Sequence, residues 1–185
     1  MIKKLTTFAA AGLLTATFST NSIADSRSAF AQGGELLVQT SLYTRHWSKD
    51  PDHNEKQRLI NLEWTFAEKD NVNIQRPAGS DWRDEIRWLV GGATFKNSFN
   101  QQSTYLYVGG RYDFFENDTT RAYAKLTAGL LHGYRGEYRD KIPFNRFGVA
   151  PAFLPAFGVE YHRVNFELIP FGTAGVMFNI GYVFR

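Results

Sequence analysis

Ile60, Leu62, Trp64 and Phe66 in QRLINLEWTFAE fall on one side of an extended chain, with Asn61, Glu63 and Thr65 on the other. A two-residue period of this kind marks a strand with one apolar and one polar face. STYLYVGGRYDFF and RAYAKLTAGLLHGY are also strand-like and are joined by the polar turn ENDTT. VNFELIPFG and AGVMFNIGYVFR form a second pair around a short glycine-containing turn. The whole chain predicts eight strands, at 35–47, 57–67, 84–98, 103–114, 121–134, 149–161, 164–171 and 174–185. Helical periodicity is absent after residue 35. Each strand is about long enough to cross a bilayer when tilted, and the number is even.

The first 24 residues read differently. Lys3 and Lys4 give a basic start, Phe8 to Leu14 is a short apolar stretch, and Ser22-Ile23-Ala24 fits a small-x-small cleavage site. The expectation is a signal peptide at 1–24 and one domain at 25–185. The apolar stretch is far shorter than the roughly 20 residues of a spanning helix.

Composition then narrows the class. Without Lys3 and Lys4, the 21 basic residues become 19 against 18 acidic ones, and no basic stripe stands out, which argues against nucleic acid as a partner. With no cysteine, an exported chain has neither a disulfide framework nor a thiol nucleophile. His and carboxylate residues show no metal-ligand spacing, so neither a metal nor a cofactor is expected. Aromatic side chains, 16 Phe, 9 Tyr and 4 Trp, gather near strand ends as in the interfacial girdles of membrane barrels. In lipid every backbone polar group needs an internal partner, and closing the sheet removes its edges. The fold expected is therefore all-β, an eight-stranded antiparallel transmembrane barrel of the outer membrane; a soluble lipocalin-like barrel is the alternative. The connection AEKDNVNIQRPAGSDWR is long for a periplasmic turn.

With both termini periplasmic, the odd strands end outside. Parity then brings His46, Asn97, Ser98, His132, Arg135, Glu137, Arg139 and Asp140 to the extracellular rim. A hydroxyl, an imidazole, carboxylates and guanidinium groups are the parts of acyl-transfer chemistry: His supplies a base with a pKa near working pH. Ser98 supplies a hydroxyl, as nucleophile or as a group that orients the acceptor, and Asn97 or Arg135 can polarise the ester. Arg45, Lys96 and Arg135 could hold phosphates. No G-x-S-x-G elbow is present. Pro151, Pro155 and Pro170 cannot donate to a ladder, so strands six and seven should pair weakly in their outer halves. That leaves either bulges that bend the barrel or a lateral opening for an acyl chain.

YTRHW, ATFKNSFN, LTAGLLHGY and IPFNRFGVAPAFLPAFGVEYHRVNFELIPFG together resemble the lipid A palmitoyltransferases of the PagP type. These segments span most of residues 40 to 172. The resemblance implies an outer-membrane enzyme of Gram-negative bacteria that moves palmitate from a phospholipid to lipid A. It implies a monomer with its site at the extracellular face and an interior slot that measures the acyl chain. Residues such as Leu126, Gly129 or Met177 would close that slot. The family's histidine falls on His46 and its Asp-Ser pair on Asn97 and Ser98. Arg45, Arg135 and Asp140 are expected to bind substrate, and Pro151, Pro155 and Pro170 to flank the lipid access. Asn97 departs from the family, because an amide orients but takes no proton. Asp50, Glu137 and Asp140 are the loop carboxylates that could stand in. A lipid hydrolase and a non-catalytic lipid-binding barrel are the competing functions.

Overall fold

A computed structural model describes residues 33–48, 53–67, 85–145 and 147–185. The segments expected to form the signal peptide and most of the long connection between the second and third strands lie outside the described residues, as does Asp50. Eight strands close into one antiparallel barrel: β1 Glu35–His46, β2 Ile60–Thr65, β3 Ile86–Lys96, β4 Gln102–Glu116, β5 Thr120–His132, β6 Val149–Tyr161, β7 Val164–Pro170 and β8 Gly175–Phe184. Each strand pairs with its sequence neighbours, and β1 closes the sheet on β8 from Leu36↔Phe184 to His46↔Gly175.

The boundaries fall close to those expected, and two of the shifts have a visible cause. β2 begins later, because Arg58 takes a left-handed backbone (φ 47°) that interrupts extended structure. β4 runs on to Glu116 through a register shift between Asp113 and Phe115.

The pleat is inside-out relative to a water-soluble barrel. Leu62, Leu106, Val108, Leu126, Leu130 and Phe153 are each more than half exposed on the outer surface. Glu63, Arg111, Lys125, Glu160, Asn165 and Glu167 are buried within. Exposing one such apolar side chain to water would forgo roughly 1.5–3 kcal/mol. A continuous apolar outside around a polar inside is the arrangement of a membrane-spanning barrel.

The interior has two regions. At mid-barrel, eight side chains close a ring of hydrogen bonds. Lys125 Nζ lies 2.8 Å from Glu63 Oε2 and 2.7 Å from Glu167 Oε2. The Tyr107 hydroxyl lies 2.9 Å from Glu63 Oε2 and 2.8 Å from Asn61 Oδ1. Asn61 donates to Gln39, Gln39 to Asn165, Asn165 to Tyr123, and Tyr123 back to Glu167, each within 2.7–2.9 Å. Beneath this ring, toward the chain ends of the barrel, Glu35 meets Arg87, Arg111, Arg121 and Arg185, and Glu160 meets Arg111 and Arg185. Above it the lining is divided: on the β3–β6 side Phe95, Leu131, Ala152 and Leu154 pack against Leu89, Tyr105 and Tyr107, while Thr44 of β1 and Asn179 of β8 are buried polar residues.

β6 pairs along its full length with β5, from Val149↔His132 to Tyr161↔Thr120. With β7 it pairs only from Phe157↔Leu168 to Tyr161↔Val164. The half of β6 that carries Pro151 and Pro155 therefore has no ladder on its β7 side. Two carbonyls of that half receive side-chain hydroxyls from other strands: Tyr105 donates to Ala152 O and Thr127 to Leu154 O, both at 3.2 Å.

Candidate functional site

Antiparallel closure places the end of β1, the β3–β4 turn and the loop after β5 at one rim. There His46 Nε2 and Ser98 Oγ lie 2.8 Å apart, across 52 positions of chain. His46 is the last residue of β1 and points inward, 6 % exposed. Ser98 belongs to the turn that follows β3.

Asn97 builds that turn. Its Oδ1 accepts the backbone N–H groups of Phe99 at 2.9 Å and Gln101 at 3.0 Å, while its own N–H donates to Gln101 O. Asn100 takes a left-handed backbone (φ 58°), a conformation that asparagine tolerates better than most residues. Asn97 Nδ2 is buried and has no hydrogen-bond partner among the described residues. The amide is thus both a turn fastener and an unused donor beside Ser98.

Three groups outside the expected site residues complete the surroundings. The His53 ring lies 4.5 Å from the His46 ring, centroid to centroid. Glu55 lies within electrostatic reach of His46. The Tyr134 hydroxyl lies near Ser98, and burial pushes its pKa above the usual phenol value, so it stays a neutral O–H. His53 and Glu55 sit on an irregular segment, where residue periodicity carries no signal, and Tyr134 lies past the end of β5 at His132, which stops two residues short of the expected strand end. Only their residue types marked them out, and those types are common in loops.

The loop after β5 is fastened over the Ser98 turn. Its short 3-10 helix, Gly136–Lys141, brings Tyr138 onto the Phe99 ring at 4.0 Å with the planes 12° apart. Gln101 grips the Arg135 backbone from both sides, accepting from its N–H at 3.0 Å and donating to its carbonyl at 3.2 Å. Asn145 closes the loop on itself by donating to the carbonyls of Tyr134 and Arg139.

The other expected site residues lie apart from the His46–Ser98 pair. Arg45 is exposed on the outer surface of β1, as alternation with His46 requires. Arg135 is exposed and directs Nη2 at His132 Nε2, 2.6 Å away. Asp140 is exposed on the 3-10 helix. Leu126 faces outward, 57 % exposed, and so cannot close an interior slot, whereas Gly129 lies against Tyr105 inside. His162 is in the turn at the opposite rim, its N–H on Thr119 O. Among the described residues no three His, Asp or Glu side chains gather as metal ligands.

In chemical terms, a neutral His46 whose Nε2 accepts from Ser98 carries its proton on Nδ1. That nitrogen is buried and has no partner among the described residues.

No protein-family model matches the chain, and no curated protein matches it. Among solved structures it is similar to the outer membrane protein Ail of Yersinia pestis, determined in a phospholipid bilayer nanodisc. The two are 14 % identical over 82 % of this chain and 99 % of that one, with a TM-score of 0.35.

Proposed function

We propose that this chain is an outer-membrane acyltransferase that moves palmitate from a phospholipid to a hydroxyl of lipid A. The observation that carries the reading is the 2.8 Å contact between His46 Nε2 and Ser98 Oγ, on the rim above the apolar part of the interior. His46 Nε2 takes the proton of the attacking hydroxyl, and that oxygen adds to the ester carbonyl of the phospholipid. The carbonyl–oxygen bond to glycerol then breaks, and His46 returns the proton to the departing oxygen to give a lysophospholipid. Ser98 serves either as the first attacking hydroxyl, passing the acyl group on to lipid A, or as the group that orients the lipid A hydroxyl. The unused Asn97 Nδ2 is a donor for the oxyanion. Phe95, Leu131, Ala152 and Leu154 offer the acyl chain an apolar lining, and the charged ring beneath limits its depth. The half of β6 without a ladder to β7 supports lipid access through the wall.

The test is mass spectrometry of lipid A from cells with and without the gene. A gain of palmitate mass supports transfer. Loss of acyl mass would make the protein a hydrolase with water as acceptor, and unchanged lipid A would make it a non-catalytic barrel. Radiolabelled acyl donor retained on the denatured protein, and lost in Ser98→Ala, would assign Ser98 as nucleophile.

A further inference from the structure

His53 has no part in the proposed reaction, yet it lies against the His46 ring. Its ring is 4.5 Å from the His46 ring, with the planes tilted by 36°. Phe171 meets His46 edge-on at 5.8 Å, and Phe99 meets His53 edge-on at 5.7 Å. His46 therefore has a ring neighbour from the segment before β2 and another from the segment after β7.

The backbone that carries His53 is tied to the backbone that carries Ser98. Asn54 N–H donates to Ser98 O at 2.7 Å, and Asn54 Nδ2 donates to Asn97 O at 3.2 Å. Gln57 Nε2 donates to Asn54 O at 2.6 Å, and Lys96 N–H donates to Gln57 O at 2.6 Å. Residues 53–57 are thus tied by hydrogen bonds to the end of β3 and to the Asn97–Ser98 turn.

One hydrogen bond fixes a single atom of an imidazole. The second torsion of a histidine side chain is soft, so the ring plane needs another constraint. Catalytic histidines commonly receive it from a carboxylate on the second nitrogen. Here Asn97 uses its acceptor oxygen on two backbone N–H groups. His46 Nδ1 has no partner among the described residues.

We infer that His53 is a positioning residue: its ring, held on the Ser98 turn, fixes the plane of His46 so that Nε2 points at Ser98. The orientation comes from ring packing instead of a hydrogen-bonded acid. The inference deepens the acyl-transfer reading and rests on it for its consequence, but the orientation can be measured without any turnover.

The experiment uses the full barrel in phospholipid nanodiscs with 15N-labelled histidine. In otherwise native protein, Ser98→Ala shifts the His46 Nε2 resonance by removing its hydrogen bond. In a His53→Ala background the His46 spectrum should no longer respond to Ser98→Ala, and in a His53→Phe background the response should return. Where acyl transfer is measurable, His53→Ala should lower kcat at least about ten-fold with KM little changed, and His53→Phe should restore it to within about three-fold. If His53→Ala does not give a folded barrel, His53→Leu replaces it, since leucine keeps bulk without a flat ring. A His46 that still senses Ser98 in the His53→Ala protein overturns the inference. So does a His53→Phe protein that behaves like His53→Ala, since stacking is then not the agent. Wild-type protein without transfer activity but with this spectral pattern removes the enzyme and leaves the positioning role standing.

Discussion

The Nε2 of His46 and the hydroxyl oxygen of Ser98 are joined at 2.8 Å by two different loop-proximal elements of one rim, the end of β1 and the turn after β3. Neither residue needs the other for the barrel to close, because β1 pairs with β8 as far as His46↔Gly175 and β3 with β4 as far as Lys96↔Gln102 without the contact. Its chemistry and its structural cost are therefore separable. Ser98→Ala and His46→Phe should each reduce palmitate transfer by at least about a hundred-fold, the usual worth of a general base or its partner. Both variants should still shift in mobility between heated and unheated gel samples, as folded barrels do. Full activity in either one would remove that residue from the reaction.

Much of this site could be read from alternation alone. Glu63, Lys125 and Glu167 stand at inward positions of their strands, and parity puts His46 and Ser98 on one rim. Which inward residues meet is not legible, because that depends on the stagger with which the sheet closes, as when Gln39 of β1 reaches Asn165 of β7. His53, Glu55 and Tyr134 were hidden for another reason. Their places are set by hydrogen bonds such as Asn54 to Ser98 O, which join irregular segments distant in sequence. The proline-bearing half of β6 was legible because the missing N–H is a property of the residue itself.

Asn97 separates fold from chemistry. Asn97→Ala removes the acceptor for the Phe99 and Gln101 N–H groups and should destabilise the turn by about 1–3 kcal/mol. Asn97→Asp keeps that acceptor but loses Nδ2. Its barrel should melt close to wild type while kcat falls about a hundred-fold, the usual cost of losing one oxyanion donor. Should Asn97→Asp transfer acyl groups faster than wild type, the position calls for an acid and the donor role is wrong.

The wall between β6 and β7 can be locked. Continuing the register of Phe157↔Leu168 would set Pro155 opposite Pro170. The chain has no cysteine, so Pro155→Cys with Pro170→Cys introduces the only thiol pair. Oxidation should suppress acyl transfer to the level of the Ser98→Ala protein, and a reductant should restore it. A cross-linked barrel that works at full rate would show that lipid reaches the rim by another route.

Lys125 holds the mid-barrel ring together. It is 6 % exposed and is the only cation within 2.8 Å of Glu63 and Glu167 among the described residues. Lys125→Met leaves two buried carboxylates facing each other across an apolar side chain. Breaking a buried ion pair on one side typically costs about 3–5 kcal/mol. The variant should therefore unfold at clearly lower guanidinium concentration, read by loss of the unheated gel mobility. Adding Glu63→Gln and Glu167→Gln removes the stranded charges while keeping acceptors for Tyr107 and Tyr123. That triple variant should recover most of the loss. If Lys125→Met alone is as stable as wild type, the ring is not what holds the middle of the barrel closed.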